Sequence, residues 1–343
     1  MNARERVLKV IAGDLPDRVP VCLHNFLPAA REAGISMEQY RRDPEAIARV
    51  HLQAIETYRY DCVLIDLDTT LLAEAMGAPS DASGDAPGHI AGPAITDLEA
   101  VDSLRVVDPN KDGRIPVLLE AIRILRKAVG NSVAIRGNCD QGAFSLACLL
   151  RGNEDFLMDL IEEPYAPELF KLLEVCYQSH LAVHRAVMAV GADFTSLGDS
   201  FSGPDVVAPA MFDTYARPYA ERLVRELHTD DIFTVIHICG NTNTLFPSLQ
   251  TLPYCGFEID YKTDAKLAKA TIGREHVLFG NIDPSGVIGR GTVETVREST
   301  RQLVEQWKPN GRFILNAGCA IPAGTPPENI HAFVQSAAEF GVY

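Results

Sequence analysis

The sequence predicts a (β/α)8 TIM barrel, built as a single domain over residues 1–343. Eight short apolar segments have the character of buried strands, and helical material follows each one, as in parallel βα units. Polar side chains gather where these segments end, and in a barrel that C-terminal face carries the active site. The length of 343 residues exceeds the roughly 250 of a usual barrel but suits one with insertions. The predicted strands are 19–23, 62–67, 133–138, 192–200, 232–238, 256–260, 277–281 and 312–316.

The second strand segment shows why the sheet is expected to be parallel. Its sequence, CVLIDL at residues 62–67, is a continuous apolar run rather than an alternating one. Such a run is typical of a strand that is buried on both faces. A doubly wound open sheet is the alternative arrangement, although the sequence contains no phosphate loop of the GxGxxG or GKT type.

Helical segments precede and separate these strands. Residues 2–12 place Val7, Leu8 and Ile11 on one side, which predicts a helical extension before the first strand. A helix from Ser36 or Met37 to Tyr58 is predicted after the first strand. Further helices are expected at residues 115–129, 143–150, 153–161, 167–190, 209–228 and 292–306.

Residues 77–92 interrupt this alternation with the sequence GAPSDASGDAPGHIAG. The segment is rich in Gly, Pro, Ser and Asp and has no periodicity, so a loop is expected. The βα pattern resumes after it, which indicates an insertion over the active site. A disordered linker is the alternative.

Charge and hydropathy exclude several classes of function. The formal net charge is −15, whereas binding to nucleic-acid phosphates or to an anionic membrane surface requires a basic face. No apolar run approaches the roughly 18 residues of a membrane span. The N-terminal segment is charged and amphipathic, without the apolar core of a signal peptide, so a cytoplasmic protein is expected. The eight cysteines are then not a disulfide framework.

Two cysteines differ from the others because each lies beside a glycine at the end of a predicted strand. His237 and Cys239 are two residues apart, so their side chains point the same way from one strand. Cys319 follows a later strand in the sequence FILNAGCAIP. An imidazole and two thiolates form a suitable catalytic zinc site with one position open. The alternative for His237 and Cys239 is a core histidine beside a buried cysteine.

Other polar residues at the strand ends are candidates for substrate contacts. For Asp, Asn and Ser at these positions, helix N-capping is the alternative role. Arg136 is a candidate to hold an anionic group, with a salt bridge to a neighbouring Asp as the alternative. The strand-end residues are His24, Asn25, Asp66, Asp68, Arg136, Asn138, Asp199, Asp260, Asn281, Asp283 and Asn316.

Several stretches together resemble the uroporphyrinogen decarboxylase superfamily over nearly the whole chain. They include RERVLKVIAGDLPDRVPV, DCVLIDLDTTLLAEAMGAP, GDSFSGPDVVAPAMFDTYARPY, HICGNT, LFGNIDPSGVIGRGT and FILNAGCAIPAGTPPENI. The chain departs from the decarboxylase proper at two places. The Arg-rich segment that holds porphyrinogen carboxylates is replaced by HNFLPAAREAGIS, and Cys319 stands where the decarboxylase has His. Asp68 does match the substrate-binding aspartate of that enzyme.

The pattern of His-x-Cys followed by a distant Cys is similar to the zinc-dependent corrinoid methyltransferase branch, whose best-known members methylate coenzyme M. The resemblance implies a catalytic zinc ion on His237, Cys239 and Cys319. It also implies methyl transfer between a corrinoid and a zinc-activated thiol. Two thiolates cancel the charge of Zn²⁺, so a bound substrate sulfur keeps its electron density. The expected substrate contacts are Asn25, Asp68, Arg136, Asp199 and Asn281.

The partners expected from this resemblance are a small-molecule methyl donor or acceptor and a corrinoid. The chain has no corrinoid-binding DxHxxG motif, so the corrinoid is expected on a separate protein or as a free cofactor. Three alternatives remain. One is a demethylase of a methoxy or amine substrate, the second is a metal-free decarboxylase-like lyase, and the third is a non-catalytic carrier of corrinoids or tetrapyrroles.

Overall fold

Eight parallel strands form one sheet in the computed structural model, which describes residues 1–162 and 164–343. Each strand pairs with the next one along the chain. The last strand returns to the first, where Val21 bridges to Leu315 in parallel and the N–H of Leu315 donates to the carbonyl of Pro20 at 2.8 Å. The predicted barrel is therefore confirmed, and the doubly wound alternative is wrong. The strands are β1 (Cys22–Leu23), β2 (Cys62–Ile65), β3 (Ala134–Gln141), β4 (Phe194–Gly198), β5 (Thr234–Ile238), β6 (Gly256–Ile259), β7 (Val277–Ile282) and β8 (Phe313–Ala317).

Helices surround the sheet and join consecutive strands. They are α1 (Ala3–Ile11), α2 (Phe26–Glu32), α3 (Met37–Tyr40), α4 (Pro44–Tyr58), α5 (Leu71–Ala75), α6 (Ile115–Val129), α7 (Ala143–Arg151), α8 (Asn153–Glu162), α9 (Pro167–Ala189), α10 (Pro209–Met211), α11 (Arg217–Thr229), α12 (Phe246–Leu249), α13 (Ala265–Ala270), α14 (Val293–Trp307) and α15 (Pro327–Phe340). Short 3₁₀ turns lie at Leu98–Ser103, Ser200–Ser202, Asn243–Leu245 and Ile272–Arg274, and π turns at Phe212–Ala216 and Pro284–Gly289. No helix in the described ranges combines the length and the apolarity that a membrane crossing requires.

The helix before the first strand closes the bottom of the barrel. Val7 and Val10 of α1 are fully buried and pack in one cluster with the side chains that fill the barrel interior. The side chain of Asn2 caps the helix, and the carboxylate of Glu5 accepts a hydrogen bond from the backbone N–H of Asn2. Burial of a valine side chain stabilises a fold by about 1.5–3 kcal/mol. Apolar contacts therefore cover the bottom of the barrel, and the cavity described below lies at the C-terminal ends of its strands.

One predicted helix is two helices in the structure. The sequence analysis expected a continuous helix from Ser36 or Met37 to Tyr58, but α3 ends at Tyr40 and α4 begins at Pro44. Asp43 caps α4 by accepting hydrogen bonds from two backbone N–H groups. Proline lacks an N–H and disfavours a helical residue before it, so a new helix starts there.

The insertion at residues 77–92 lies over the barrel mouth, as expected. Its ends pair as short antiparallel strands, Ser80–Asp81 with His89–Ile90. The buried side chain of Arg41 donates hydrogen bonds to three carbonyl groups between them, at 3.2, 3.1 and 2.6 Å. Because these bonds join the insertion to the helices after β1, Pro87 and Gly88 form part of the wall above the site.

Candidate metal centre and active site

A cavity of about 280 Å³ opens at the C-terminal ends of the strands. Its walls are largely apolar, with Leu64, Leu67 and Leu197 from the barrel and Phe26 and Leu27 from α2. Charged and sulfur-bearing side chains lie among them. A mostly apolar cavity with a few converging polar groups is the usual form of a small-molecule site.

Three potential metal ligands converge in this cavity. His237 and Cys239 come from the end of β5, and Cys319 follows β8. One donor atom of each residue lies within 4.8 Å of the other two. The distance between Nε2 of His237 and Sγ of Cys239 is 3.3 Å. The fold thus brings the three predicted ligands together.

Glycines beside both cysteines allow the chain to turn tightly there. Gly240 has φ +88°, and a Cβ at this position would lie 2.3 Å from a carboxylate oxygen of Asp205. A Cβ on Gly318 would lie 2.4 Å from the backbone nitrogen of Tyr261. At Gly318 the close neighbour is backbone, so a larger residue would displace the chain that carries Cys319. At Gly240 the carboxylate of Asp205 can move aside, and the positive φ is what favours glycine there.

The imidazole of His237 is held in one orientation. Its Nδ1 lies 3.0 Å from the carbonyl oxygen of Glu258, and a carbonyl can only accept, so Nδ1 carries the proton. Nε2 is then the atom that faces the thiols. The hydroxyl of Ser200 lies 3.3 Å from Sγ of Cys239. Protein metal sites use such outer hydrogen bonds to orient their ligands, and this arrangement fits a zinc ion.

The protonation of the three groups without metal also suits a metal site. Hydrogen bonding from Cys319, and then the interaction with His237, lowers the pKa of Cys239 to about 3. Burial opposes the charge of His237, but hydrogen bonding and attraction to Cys239 raise its pKa to about 10. The bond to Cys239 also raises the pKa of Cys319. A metal ion that binds here would displace the protons on Nε2 of His237 and on Sγ of Cys319.

Two of the predicted substrate contacts line the cavity. Arg136 forms a buried ion pair with Glu258, with 2.5 Å between Nη1 and Oε2. The alternative role for Arg136, a salt bridge, is therefore present, but its partner is a glutamate. Asp68 accepts a hydrogen bond from Arg114 at 2.6 Å and another from the hydroxyl of Thr70 at 2.8 Å.

The other three predicted substrate contacts do not lie on the cavity wall. Asn25 is fully buried behind it. Asp199 accepts hydrogen bonds from the N–H and the hydroxyl of Ser145, at 2.9 and 2.6 Å. Asn281 donates to two backbone carbonyl groups, at residues 260 and 263. Asp199 and Asn281 are thus held by the scaffold, whereas neither polar atom of the Asn25 amide has a hydrogen-bond partner. Direct substrate contact stays a prediction for all three residues.

Several residues of the cavity wall were not predicted from the sequence. Glu258 lies inside the apolar segment GFEI of β6, Gln141 ends β3, and Arg41 follows α3. Glu258 could have been identified from the sequence, because a charged residue inside a buried strand requires a charged partner. Arg136, inside another apolar strand, has the complementary charge. Arg41 carried no such signal, since its role depends on the position of the insertion.

Comparisons with known proteins find relatives that match almost the whole chain. The family model described as "Uroporphyrinogen decarboxylase (URO-D)" matches residues 2–340. The chain is 26% identical over 342 residues to the methylcobamide:CoM methyltransferase MtbA of Methanosarcina acetivorans, with 98% of each chain covered. It is also 26% identical to the uroporphyrinogen decarboxylase of Trichlorobacter lovleyi, covering 94% of this chain and 95% of that one.

A solved structure supports the same relationship. The methyltransferase from Methanosarcina mazei superimposes with a TM-score of 0.90 at 26% identity, and the match covers 99% of both chains. The similarity thus extends along the whole barrel, including the strands that carry the three ligands. The chain belongs to the uroporphyrinogen decarboxylase (URO-D) family.

Proposed function

We propose that this protein is a zinc-dependent methyltransferase that moves a methyl group between a corrinoid and a thiol. The observation that carries the proposal is the convergence of His237, Cys239 and Cys319 within 4.8 Å in the cavity. The relatives support it, because the compared proteins include methylcobamide:CoM methyltransferases. Overall identity to the decarboxylase relatives is equally low, so the proposal depends on the ligand set and not on the identity alone.

The three ligands would hold zinc through Nε2 of His237 and the sulfur atoms of the two cysteines. A zinc ion bound there would keep a substrate thiol deprotonated at neutral pH, where a free thiol with pKa about 8.5 is mostly protonated. The carbonyl of Glu258 fixes the imidazole. With Cys239 as a metal-bound thiolate, the hydroxyl of Ser200 would donate to its sulfur and lower the basicity of that sulfur. The apolar walls exclude water from the reacting sulfur.

The methylated corrinoid reaches the site from the open face of the barrel. A second cleft of about 360 Å³ adjoins the cavity and shares Thr69 and Gly88 with it. The insertion at residues 77–92 borders both. Because the chain has no corrinoid-binding motif of its own, the corrinoid is supplied by a separate protein or as a free cofactor.

Two alternatives differ from this proposal in their chemistry. A demethylase would use the same zinc site as a Lewis acid on a methoxy or amine donor. A uroporphyrinogen decarboxylase-like lyase would need cations for the substrate carboxylates. Between residues 24 and 36 the only basic side chain is Arg31, which donates to the carbonyl of Ala323 at 3.4 Å and does not line the cavity.

The zinc-loaded protein is expected to methylate a small thiol such as 2-mercaptoethanol with methylcobalamin as donor. Formation of the thioether and loss of the methyl–cobalt absorption measure the reaction, and the metal-free protein is the control. The same preparation is expected to form no coproporphyrinogen from uroporphyrinogen under anaerobic conditions. Decarboxylation at an enzymatic rate, with no thiol methylation, would refute the proposal. Demethylation of a methoxy or amine donor without thiol methylation would favour the demethylase.

A further inference from the structure

The charged groups that line the cavity are matched with one another. Arg136 is paired with Glu258, and both side chains are at most 3% exposed. The ring of Phe279 covers the guanidinium from one side, at 5.3 Å. Nε and Nη1 of Arg136 make no hydrogen bond, so the guanidinium keeps donors to spare, but its charge is already balanced by Glu258. A second anion at Arg136 would therefore meet a neutral pair and lie close to a buried carboxylate.

The charge of Arg41, the second cation of the wall, is also balanced by neighbouring groups. Nε of Arg41 lies 3.5 Å from Asp68, and its two terminal nitrogens donate to carbonyl groups of the insertion. Asp68 is also held by Arg114, which reaches Glu74 at 2.8 Å. The four side chains form a balanced set of two cations and two anions. Arg41 thus serves to anchor the insertion and offers no surplus charge.

The remaining titratable pair on the wall is His24 and Asp66. Nε2 of His24 lies 2.9 Å from the carboxylate of Asp66. Among the described residues, the arginines and lysines on the cavity wall are Arg41 and Arg136 alone, facing the three carboxylates of Asp66, Asp68 and Glu258. No excess positive charge faces the space in front of the metal ligands.

We propose that the thiol substrate carries an uncharged tail, an inference that rests on the proposed function. A sulfonate or carboxylate tail would lose its water in a largely apolar cavity without gaining a cation whose charge is unbalanced, which is costly. The negative charge of the substrate thiolate, bound at a metal that two cysteines already hold, would also repel an anionic tail. An ammonium tail would face carboxylates that already have partners. Leu27, Leu64, Leu67 and Leu197 instead offer apolar surface to a short neutral chain.

The test compares three thiols that share a two-carbon chain, namely 2-mercaptoethanol, coenzyme M and cysteamine, on the zinc-loaded protein. Calorimetry gives each dissociation constant, and methylcobalamin turnover gives each kcat/KM. We expect 2-mercaptoethanol to bind at least about tenfold more tightly than either charged thiol, because each charged tail is desolvated without a partner. Equal or tighter binding of coenzyme M or of cysteamine would overturn the proposal.

A variant of the half-buried Leu27 tests the effect of the charge on the substrate tail separately from the acidity of the thiol. Leu27→Arg places an uncompensated cation on the wall and is expected to raise the affinity for coenzyme M, relative to 2-mercaptoethanol, by roughly tenfold. Leu27→Gln is the matched neutral control and is expected to leave that ratio unchanged. An unchanged ratio in a folded Leu27→Arg protein would count against the charge argument. If the binding order holds while no thiol is methylated, the proposed transfer fails and the inferred specificity stands.

Discussion

Replacement of Cys319 by alanine is expected to remove the zinc ion and to lower methyl transfer by more than about 100-fold. Loss of an outer contact to a metal ligand already costs about 10- to 100-fold in affinity or activity, and Cys319 supplies a ligand itself. His237 and Cys239 would remain, but two protein donors from one strand hold zinc weakly. Metal content by mass spectrometry and the rate with methylcobalamin measure the two effects.

The matched control is Cys176→Ala. Cys176 is fully buried on α9 and lies outside the cavity, so its removal tests the general effect of losing a core thiol. This variant is expected to keep one zinc per chain. Full zinc content in a folded Cys319→Ala protein would remove Cys319 from the site.

Removal of Arg136 is expected to destabilise the fold by about 3–5 kcal/mol, the usual cost of breaking a buried ion pair at one partner. In Arg136→Met, the carboxylate of Glu258 stays almost fully buried without a cation. The free energy of unfolding in urea measures the loss.

The double variant Arg136→Met with Glu258→Leu distinguishes the contribution of the ion pair to stability from that of side-chain packing. Replacement of both charges by apolar side chains of similar size is often neutral, so the double variant is expected to lie within about 1–2 kcal/mol of the native protein. If the double variant is as unstable as Arg136→Met alone, the ion pair is not the cause. The single variant Glu258→Leu, which leaves Arg136 unpaired, completes the double-mutant cycle.

The barrel could be predicted because its strands carry a strong local signal. Runs such as residues 62–65 and 277–280 contain no polar side chain, which is typical of strands in a sheet covered on both faces. The three metal donors followed from the same logic, since strand ends meet at one face. Closure of the sheet was less certain from the sequence, because it depends on a contact between the first and the last strand.

The residues of the cavity wall were harder to predict. Beyond the end of a strand, neighbouring side chains point in different directions, so a shift of one position decides whether a residue faces the cavity. β4 ends at Gly198, and Asp199 points toward α7, whereas Ser200 faces Cys239. Asn281 likewise supports the loop after β6. Arg41 and Glu258 gain their roles from partners that are distant in sequence, namely the insertion and Arg136. Local pattern thus located the site, and tertiary contacts determined its lining.

X-ray absorption at the zinc edge measures the ligands of the metal directly. In the native protein we expect two sulfur atoms and one imidazole nitrogen, from Cys239, Cys319 and His237. Addition of 2-mercaptoethanol should raise the sulfur number to three and release close to one proton per site at pH 7, because the free thiol is mostly protonated there. A metal that keeps two sulfur atoms while the thiol binds would contradict thiol activation by zinc.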